Sequence, residues 1–280
     1  MCQRAPHAHF GSRLAGLLFA LLASAECGGA AGQSALDRPP DPPFSTENFS
    51  AFREPAAAPV NTGSNSSCFL VVLVDAVGID HSTPEAFFQT MARHPRGNKR
   101  EHSVGHAWLI LGGSLTWVEC GHTGEFGLDT PGCSDTIQAA LTRHDANPLA
   151  CLWKDWNNGS CEFGSGGHKP TAAVRFELTP SQYQAIRSFL DNYDFKAFSI
   201  RERVCTHFVT EAAALGGIKL GHQVTLNVPR QTRFKGRTVT WWTDPKYSLL
   251  SFGSPDVLEK SLKLALEKGL GKSVLDHYGK

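Results

Sequence analysis

Apolar residues follow two different spacings along this chain, and the two spacings predict two kinds of element. The stretch 68–78, CFLVVLVDAVG, is a short apolar run that is rich in branched residues and ends at a glycine, as expected of a buried strand. Two apolar and aromatic segments flank Gly112–Gly113, which predicts a β-hairpin. Further strands are predicted at 171–179, 223–229 and 238–244.

Four other segments place apolar residues at helical spacing. The segments 82–94 and 179–194 open with a serine or threonine cap followed by proline, and both features favour a helix start. The segment 203–217 ends in two glycines, and 254–271 has Ser254 as its predicted cap and a glycine near its end. Helices interleaved with hairpin strands predict the α+β class, with an antiparallel sheet packed against helices.

The composition changes before and between these elements. Residues 26–67 are rich in Pro, Ala, Ser, Asn and Gly without apolar periodicity, so they bury too little apolar surface to offset the entropy of ordering. We therefore expect a flexible leader at 26–67 and a single folded domain at 68–280. Within that domain, residues 121–170 carry many Gly, Asn and Cys residues, and we expect them to form irregular loops.

Residues 1–25 have the composition of a secretory signal peptide. Arginines without acids are followed by an apolar run and by a small-residue cleavage site at Ala23–Ala25. The apolar run is about ten residues long, and a membrane-spanning helix needs roughly 20. We therefore expect a secreted or periplasmic protein without a transmembrane segment. A lipid anchor on Cys27 is disfavoured because Glu26 precedes it, where lipidated proteins carry a small residue.

The charge balance argues against polyanionic partners. The chain has 27 basic and 26 acidic residues, a net charge of +1 with neutral histidines. Such a balance gives no long-range attraction to nucleic acid or to an anionic membrane. We expect no cofactor.

The cysteine count predicts at least one spare thiol. Of the eight cysteines, seven remain after removal of the signal peptide, and an odd number leaves one without a partner in the chain. Export makes disulfides expected for the others. Cys151 and Cys161 flank a Gly/Asn loop and form one candidate pair, and Cys120 and Cys133 form another.

The hairpin suggests a histidine and acid pair. A two-residue turn at Gly112–Gly113 would place His106 directly opposite Glu119, with side chains about 4.5–5.5 Å apart. A carboxylate at that distance fixes the tautomer of an imidazole and stabilises its charged form. A three-residue turn would place His106 opposite Cys120 instead. The two-residue turn would also pair Trp108 with Trp117 and Ile110 with Leu115.

Cys205 is predicted in the first turn of the helix at 203–217, where backbone N–H groups lack helical partners. The positive end of the helix dipole favours a thiolate there, and the same N–H groups can stabilise an oxyanion. A small buried residue or half of a disulfide accounts for the local pattern equally well. The helix is expected to turn these residues toward the core: Val204, Phe208, Val209, Ala212 and Leu215.

Two of these motifs carry a family resemblance. CTHFVTEAAALGG, at 205–217, resembles the Cys-Xaa-His-Phe-Val helix of the lecithin:retinol acyltransferase-like proteins, a circularly permuted branch of the NlpC-type papain-like superfamily. VGHAWLILGG, at 104–113, resembles the strand that carries the histidine in that branch. The resemblance implies a permuted papain-like fold with Cys205 as nucleophile and His106 as base. The third polar residue of the family maps best onto Glu119, and His122 is the alternative.

These observations predict an exported cysteine-dependent hydrolase or acyltransferase. Its substrate would be an amide or ester, from a peptide, a cell wall or a lipid acyl chain, and the intermediate would be an acyl-enzyme on Cys205. Two alternatives remain open. One is a metal-dependent hydrolase that uses His106, Glu119 and His122; the other is a non-catalytic, disulfide-rich binding module. His122 alone is expected to be an exposed loop residue.

Overall fold

The computed structural model describes residues 68–91, 104–113, 116–124, 148–234 and 236–278. All of them belong to one compact unit, Phe49–Lys280. The expected signal peptide at 1–25 and the expected leader at 26–67 lie outside the described residues, as do residues 125–147 of the segment expected to be irregular.

The described part of the chain contains ten strands, five α-helices and two short 3₁₀ helices. The strands are β1 (Cys68–Asp75), β2 (His106–Gly112), β3 (Trp117–Thr123), β4 (Ser160–Phe163), β5 (Ala172–Leu178), β6 (Gln223–Asn227), β7 (Gln231–Phe234), β8 (Arg237–Thr240), β9 (Leu249–Gly253) and β10 (Lys272–Ser273). The α-helices are α1 (Pro84–Met91), α2 (Pro148–Leu152), α3 (Pro180–Asn192), α4 (Cys205–Leu215) and α5 (Pro255–Glu267). The 3₁₀ helices are Pro245–Tyr247 and Leu275–His277.

Six strands form one antiparallel sheet in the order β10-β5-β1-β2-β3-β4. Two smaller antiparallel pairs, β6 with β9 and β7 with β8, complete the strands. The predicted α+β class, with an antiparallel sheet and helices, is therefore confirmed. The buried central position of β1 explains why its sequence is apolar at every position rather than at alternate ones.

One face of the six-stranded sheet, here called the helix face, is covered by α3, α4 and α5. On β1 this face carries Leu70, Val72 and Val74, each of which is fully buried. They share one apolar cluster with Phe208 of α4 and Leu262 of α5. Burial of each such side chain contributes about 1.5–3 kcal/mol relative to exposure, so this layer is the main core.

The opposite face of the sheet, here called the outer face, has a smaller core. Phe69, Leu73 and Trp108 are buried there, and the C-terminal residues Leu275 and Tyr278 pack against them. Arg175 lies over the Phe69 ring at 3.8 Å from its centroid. These C-terminal residues therefore cover the middle of the outer face. His106, at the start of β2, is not part of this cluster.

A second cluster of buried side chains joins α1 to the small sheets. Phe88 of α1 stacks on Trp241 with ring centroids 3.7 Å apart, and Leu149 of α2 belongs to the same cluster. Offset or stacked aromatic pairs add about 0.5–1.5 kcal/mol beyond the area they bury. This cluster fixes the position of α2 against the small sheets.

Side-chain caps hold the starts of α1 and α3, whereas α4 and α5 have none. The Ala86 N–H donates to Thr83 Oγ1 at 3.0 Å, and Thr179 forms a capping box with Gln182 at the start of α3. Ser254 precedes α5 but makes no side-chain cap bond, and α4 begins after Val204, which offers no side-chain cap. The first turn of α4 therefore keeps N–H groups that no cap occupies.

Two expectations about packing were wrong. The segment expected to be irregular, 121–170, contains α2 and β4. Leu215, expected in the core, is 43% exposed at the end of α4, because the helix face ends at Ala212 and Ala213.

Among the described residues, no helix has the length and apolarity to cross a lipid bilayer. The longest helices have only 13 residues.

Substitution of Phe208 tests the assignment of the helix face. Phe208→Ala leaves a cavity under Tyr193 and Phe195, so the free energy of unfolding should fall by about 3–5 kcal/mol. Leu215→Ala on the same helix is the matched control and should change it by less than about 1 kcal/mol, since the side chain is half exposed. Urea unfolding measures both. Equal losses in the two variants would contradict the assignment.

Candidate active site

The register of the hairpin differs from the predicted one. Gly112 pairs with Trp117, and the Gly113 N–H donates to the Thr116 carbonyl at 2.9 Å, so the hairpin turns about two residues later than predicted. Trp108 consequently lies opposite Gly121, and Ile110 lies opposite Glu119. The prediction that Glu119 opposes His106 was therefore wrong, as were the tryptophan pair and the Ile110–Leu115 pair. A turn that comes later in the chain shifts the partner of each β2 residue toward the end of β3.

Glu119 binds a different group from the one expected. Its Oε1 accepts a hydrogen bond from Trp108 Nε1 at 2.9 Å, diagonally across the two strands. Burial raises the pKa of the Glu119 carboxyl, and the hydrogen bond from the indole opposes that shift. Glu119 thus anchors the tryptophan of the outer face.

The acid beside His106 is Glu162, on the edge strand β4. His106 Nε2 lies 3.2 Å from Glu162 Oε2. The imidazole is buried, whereas the carboxylate is partly exposed. Gly121 lies between the two strands and makes the contact possible: a Cβ there would come 2.6 Å from His106 Nε2. The His106 ring therefore occupies the space that a side chain at position 121 would take.

A second histidine and acid pair lies against the first. His168 Nδ1 lies 2.7 Å from Asp75 Oδ2, and both side chains are largely buried. The His168 ring stacks on the His106 ring with centroids 4.7 Å apart. Asp75 is opposite His106 across β1 and β2, so the two pairs meet at the same end of the sheet.

A glycine-rich turn brings His168 back to the sheet. Residues 164–167 follow β4, and Gly164, Gly166 and Gly167 all have positive φ. A Cβ on Gly166 would clash with the Glu162 carboxylate. Glycine is therefore needed there both for the positive φ and for the close approach of Glu162. The turn thus holds the acid from one side and delivers the second histidine.

Cys205 is the first residue of α4, as predicted, and it meets β2 next to His106. The backbone N–H groups of Ala107 and Thr206 act on its sulfur and lower the pKa of the thiol. Ala107 directly follows His106 in β2. Glu162, which contacts His106, also acts electrostatically on the Cys205 thiol. Both groups therefore lie at the start of β2: the imidazole on the outer face, and the sulfur at the strand backbone where α4 arrives.

The electrostatics of Cys205 differ from the expected ones. Burial raises the pKa of its thiol to about 11, and the N–H groups of Ala107 and Thr206 oppose that shift without overcoming it. The nearby negative charge of Glu162 raises the pKa further. At neutral pH the resting sulfur is a neutral thiol, so any nucleophilic role needs a base that removes its proton during the reaction.

His122 is a buried structural residue rather than an exposed loop residue. Its ring lies on the helix face, with Nε2 3.0 Å from the Phe195 carbonyl oxygen and Nδ1 3.2 Å from the Tyr193 hydroxyl. His106 and Glu119 lie on the outer face, so the sheet separates them from His122. The described residues contain no group of three or more histidine, cysteine or acidic residues that could hold a metal ion. The metal site proposed for His106, Glu119 and His122 is therefore not assembled.

The cysteines pair differently from both expected patterns. Cys68, Cys120, Cys161 and Cys205 are free thiols. Cys151 is disulfide-bonded, and none of these four is its partner. The pairs Cys151–Cys161 and Cys120–Cys133 were therefore wrong.

Three residues of the site were missed by sequence analysis, namely Asp75, Glu162 and His168. Asp75 had a signal, since it is the first charged residue at the end of the apolar run of β1. Glu162 and His168 flank the run FGSGG, whose three positive-φ glycines are a turn signal between an acid and a histidine. No spacing rule connects that turn to His106, which is more than 50 residues earlier in the chain.

Substitution of Gly121 tests the packing of the His106 ring. Gly121→Ala should displace the imidazole and lower the free energy of unfolding by about 1–3 kcal/mol, because the new methyl group overlaps Nε2. Gly221→Ala is the control, since its nearest neighbour would be the Ser261 hydroxyl at 3.9 Å. Urea unfolding together with the imidazole NMR signal of His106 measures both effects. An unchanged His106 signal in Gly121→Ala would contradict this packing.

Two buried histidines predict a dependence of stability on pH. Burial lowers the pKa values of His122 and His207 from 6.5 to about 4, so both rings stay neutral in the folded protein while the unfolded chain takes up protons. Their contribution to stability is complete above pH 6.5 and is lost as the pH falls toward 4, by up to about 1.4 kcal/mol per pH unit for each ring.

The measurement is urea unfolding across that pH window. His122→Gln should reduce the slope of stability against pH, whereas His277→Gln should leave it unchanged, because His277 is exposed at the chain end. The slope, rather than the absolute stability, carries the result. Identical slopes in His122→Gln and in the unchanged chain would show that His122 titrates normally.

Comparison of the chain with protein-family models, with curated proteins and with solved structures found no match. The chemistry of the site is therefore inferred from its own residues.

Proposed function

We propose that this protein is a cysteine-dependent hydrolase or acyltransferase with a permuted papain-like fold. Cys205 is the nucleophile and His106 is the base. The single observation that supports this most is that the Ala107 N–H, next to His106 in β2, acts electrostatically on the Cys205 sulfur. A free cysteine at a helix start, and a histidine that carries its own carboxylate at the start of the strand the helix meets, are the groups that nucleophilic thiol catalysis uses.

In this proposal Glu162 takes the role that the sequence suggested for Glu119. It lies 3.2 Å from His106 Nε2, whereas Glu119 is bound to Trp108. A carboxylate at one ring nitrogen orients the imidazole and stabilises the imidazolium that forms when the other nitrogen takes a proton. Glu162 is then a positioning residue that acts through His106.

The Asp75–His168 pair supports the same ring from its flat side. Stacking at 4.7 Å limits rotation of the His106 ring about its χ2 angle, and the 2.7 Å contact with Asp75 fixes His168 in turn. Ring orientation matters because proton transfer requires hydrogen-bond geometry between the base and the sulfur. The two histidine and carboxylate pairs together hold the His106 ring in a fixed orientation.

The proposed reaction has two half-steps. His106 takes the Cys205 proton as the sulfur attacks an amide or ester carbonyl, and the tetrahedral intermediate then collapses to a thioester as the leaving amine or alcohol receives that proton. Because burial holds the pKa of the resting thiol near 11, proton transfer accompanies attack rather than preceding it. Water or an acceptor alcohol or amine next attacks the thioester, loses its proton to His106 and releases the acyl group, and the proton returns to the sulfur.

The start of α4 supplies the electrostatic support for this step. Val204 gives no side-chain cap, so N–H groups of the first turn are open to charge that develops near Cys205. The N–H groups of Ala107 and Thr206 already act on the sulfur and stabilise its anion relative to an apolar environment. The substrate is an amide or ester of a peptide, a cell wall or a lipid acyl chain.

The test is acylation of the purified chain by an activated acyl ester such as p-nitrophenyl acetate. A burst of nitrophenol should accompany a mass increase of one acetyl group on the peptide that contains Cys205. Cys205→Ala should abolish the burst, and Cys68→Ala, which removes another free thiol of the sheet, should retain it. A burst that persists in Cys205→Ala would overturn the proposal and favour a binding module.

The two glutamates provide a matched test of the positioning residue. Glu162→Gln should lower the rate of acylation by about 10²-fold and alter its pH profile, because general base catalysis contributes about 10²–10⁴-fold. Glu119→Gln keeps an acceptor for the indole of Trp108 and should leave the rate nearly unchanged. The reverse order of the two effects would restore Glu119 as the acid.

A further inference from the structure

Two free cysteines lie next to each other on the neighbouring strands β3 and β4. Cys120 is paired with Phe163 and Cys161 with His122, so the two cysteines are diagonal neighbours across the ladder. Both contact the main core on the helix face. They are therefore on the same side of the sheet, which is the first requirement for a bond between them.

The two thiols also contact each other directly. The Cys120 S–H is placed to donate to the Cys161 sulfur, and this interaction together with burial raises the pKa of Cys120 well above its usual value. Cys120 is fully buried, whereas Cys161 is partly exposed on the edge strand. A reagent from solution can therefore reach Cys161 but not Cys120.

The strand geometry allows a bond with a small adjustment. Diagonal neighbours have Cα atoms about 7–8 Å apart, and a disulfide joins Cα atoms about 4.4–6.8 Å apart. β4 has only four residues and pairs with β3 alone in the described sheet, so a shift of about an ångström costs few hydrogen bonds. The edge strand is the part of this sheet that can make such a shift.

We propose that Cys120 and Cys161 form an oxidation site, in which a small-molecule disulfide joins them into one disulfide between β3 and β4. The Cys161 thiolate attacks the oxidant, and one thiol of the oxidant leaves. Cys120 then gives up its proton and attacks the mixed disulfide at the Cys161 sulfur, and the second thiol leaves. The protein loses two hydrogens and two electrons in forming one S–S bond, and the oxidant is reduced to two thiols.

This oxidation site is connected to the candidate active site by one residue. Cys161 directly precedes Glu162, whose carboxylate lies 3.2 Å from His106. The new bond ties the strand that carries the acid to the hairpin that carries the base. The oxidation itself does not depend on the proposed function, since it involves neither Cys205 nor a substrate.

The experiment treats the folded full chain with oxidised glutathione at mildly alkaline pH. Remaining thiols are then alkylated in denaturant, and the peptides are mapped by mass spectrometry without reduction. We expect a peptide pair joined through Cys120 and Cys161 that separates on reduction, and a rise of several degrees in the Tm of the oxidised chain.

Two serine variants make the result specific. Cys161→Ser should prevent the joined peptide and the rise in Tm, whereas Cys68→Ser, another free and partly buried cysteine of the same sheet, should retain both. Alkylated Cys120 together with glutathione on Cys161 would overturn the proposal, as would a bond from Cys161 to any other cysteine. The map of the unchanged chain decides this even if Cys161→Ser does not fold.

Discussion

The hydrogen-bond register between β2 and β3 determines which side chains meet in this protein. With Gly112 opposite Trp117, a residue without a side chain lies opposite Trp108, and the His106 ring fills that place. A shift by one residue would move every side chain of β3 to the other face of the sheet. The indole of Trp108, held by Glu119, and the buried helix face of β3 both oppose such a shift.

The same register separates two chemical environments. The helix face holds aliphatic and aromatic side chains, and His122 is buried among them as a neutral ring with two hydrogen-bond partners. The outer face holds two histidine and carboxylate pairs where β1 and β2 meet. The start of α4 reaches the strand backbone between these environments. The Cys205 thiol there packs against the apolar core of the helix face and is also affected by the charge of Glu162.

Much of the fold follows from the sequence, because local patterns determine its parts. The apolar run of β1, the capping box of α3 and the two glycines after α4 each predict their element at the observed place. The position of the hairpin turn did not follow, since the glycine pair suggested a turn at Gly112–Gly113 and the chain turns about two residues later. Because of that difference, Glu119 was predicted as the acid beside His106.

The position of Cys205 at a helix start was readable from the pattern of the sequence, whereas Glu162 and His168 were not. Their closeness to His106 depends on β4 pairing with β3 at the sheet edge, which brings together residues that are distant along the chain. The raised pKa of Cys205 was also beyond sequence reasoning, because helix position and burial act in opposite directions and only the packed structure shows that burial dominates.

The location of Glu162 on a four-residue edge strand has a consequence for how such a protein can diverge. His106 and Cys205 belong to the central layers, where a change of backbone would disturb the main core, but Glu162 belongs to the edge strand β4, which is followed by a glycine turn. Insertions or replacements at that rim can exchange one acidic partner for another while the central layers are inherited intact.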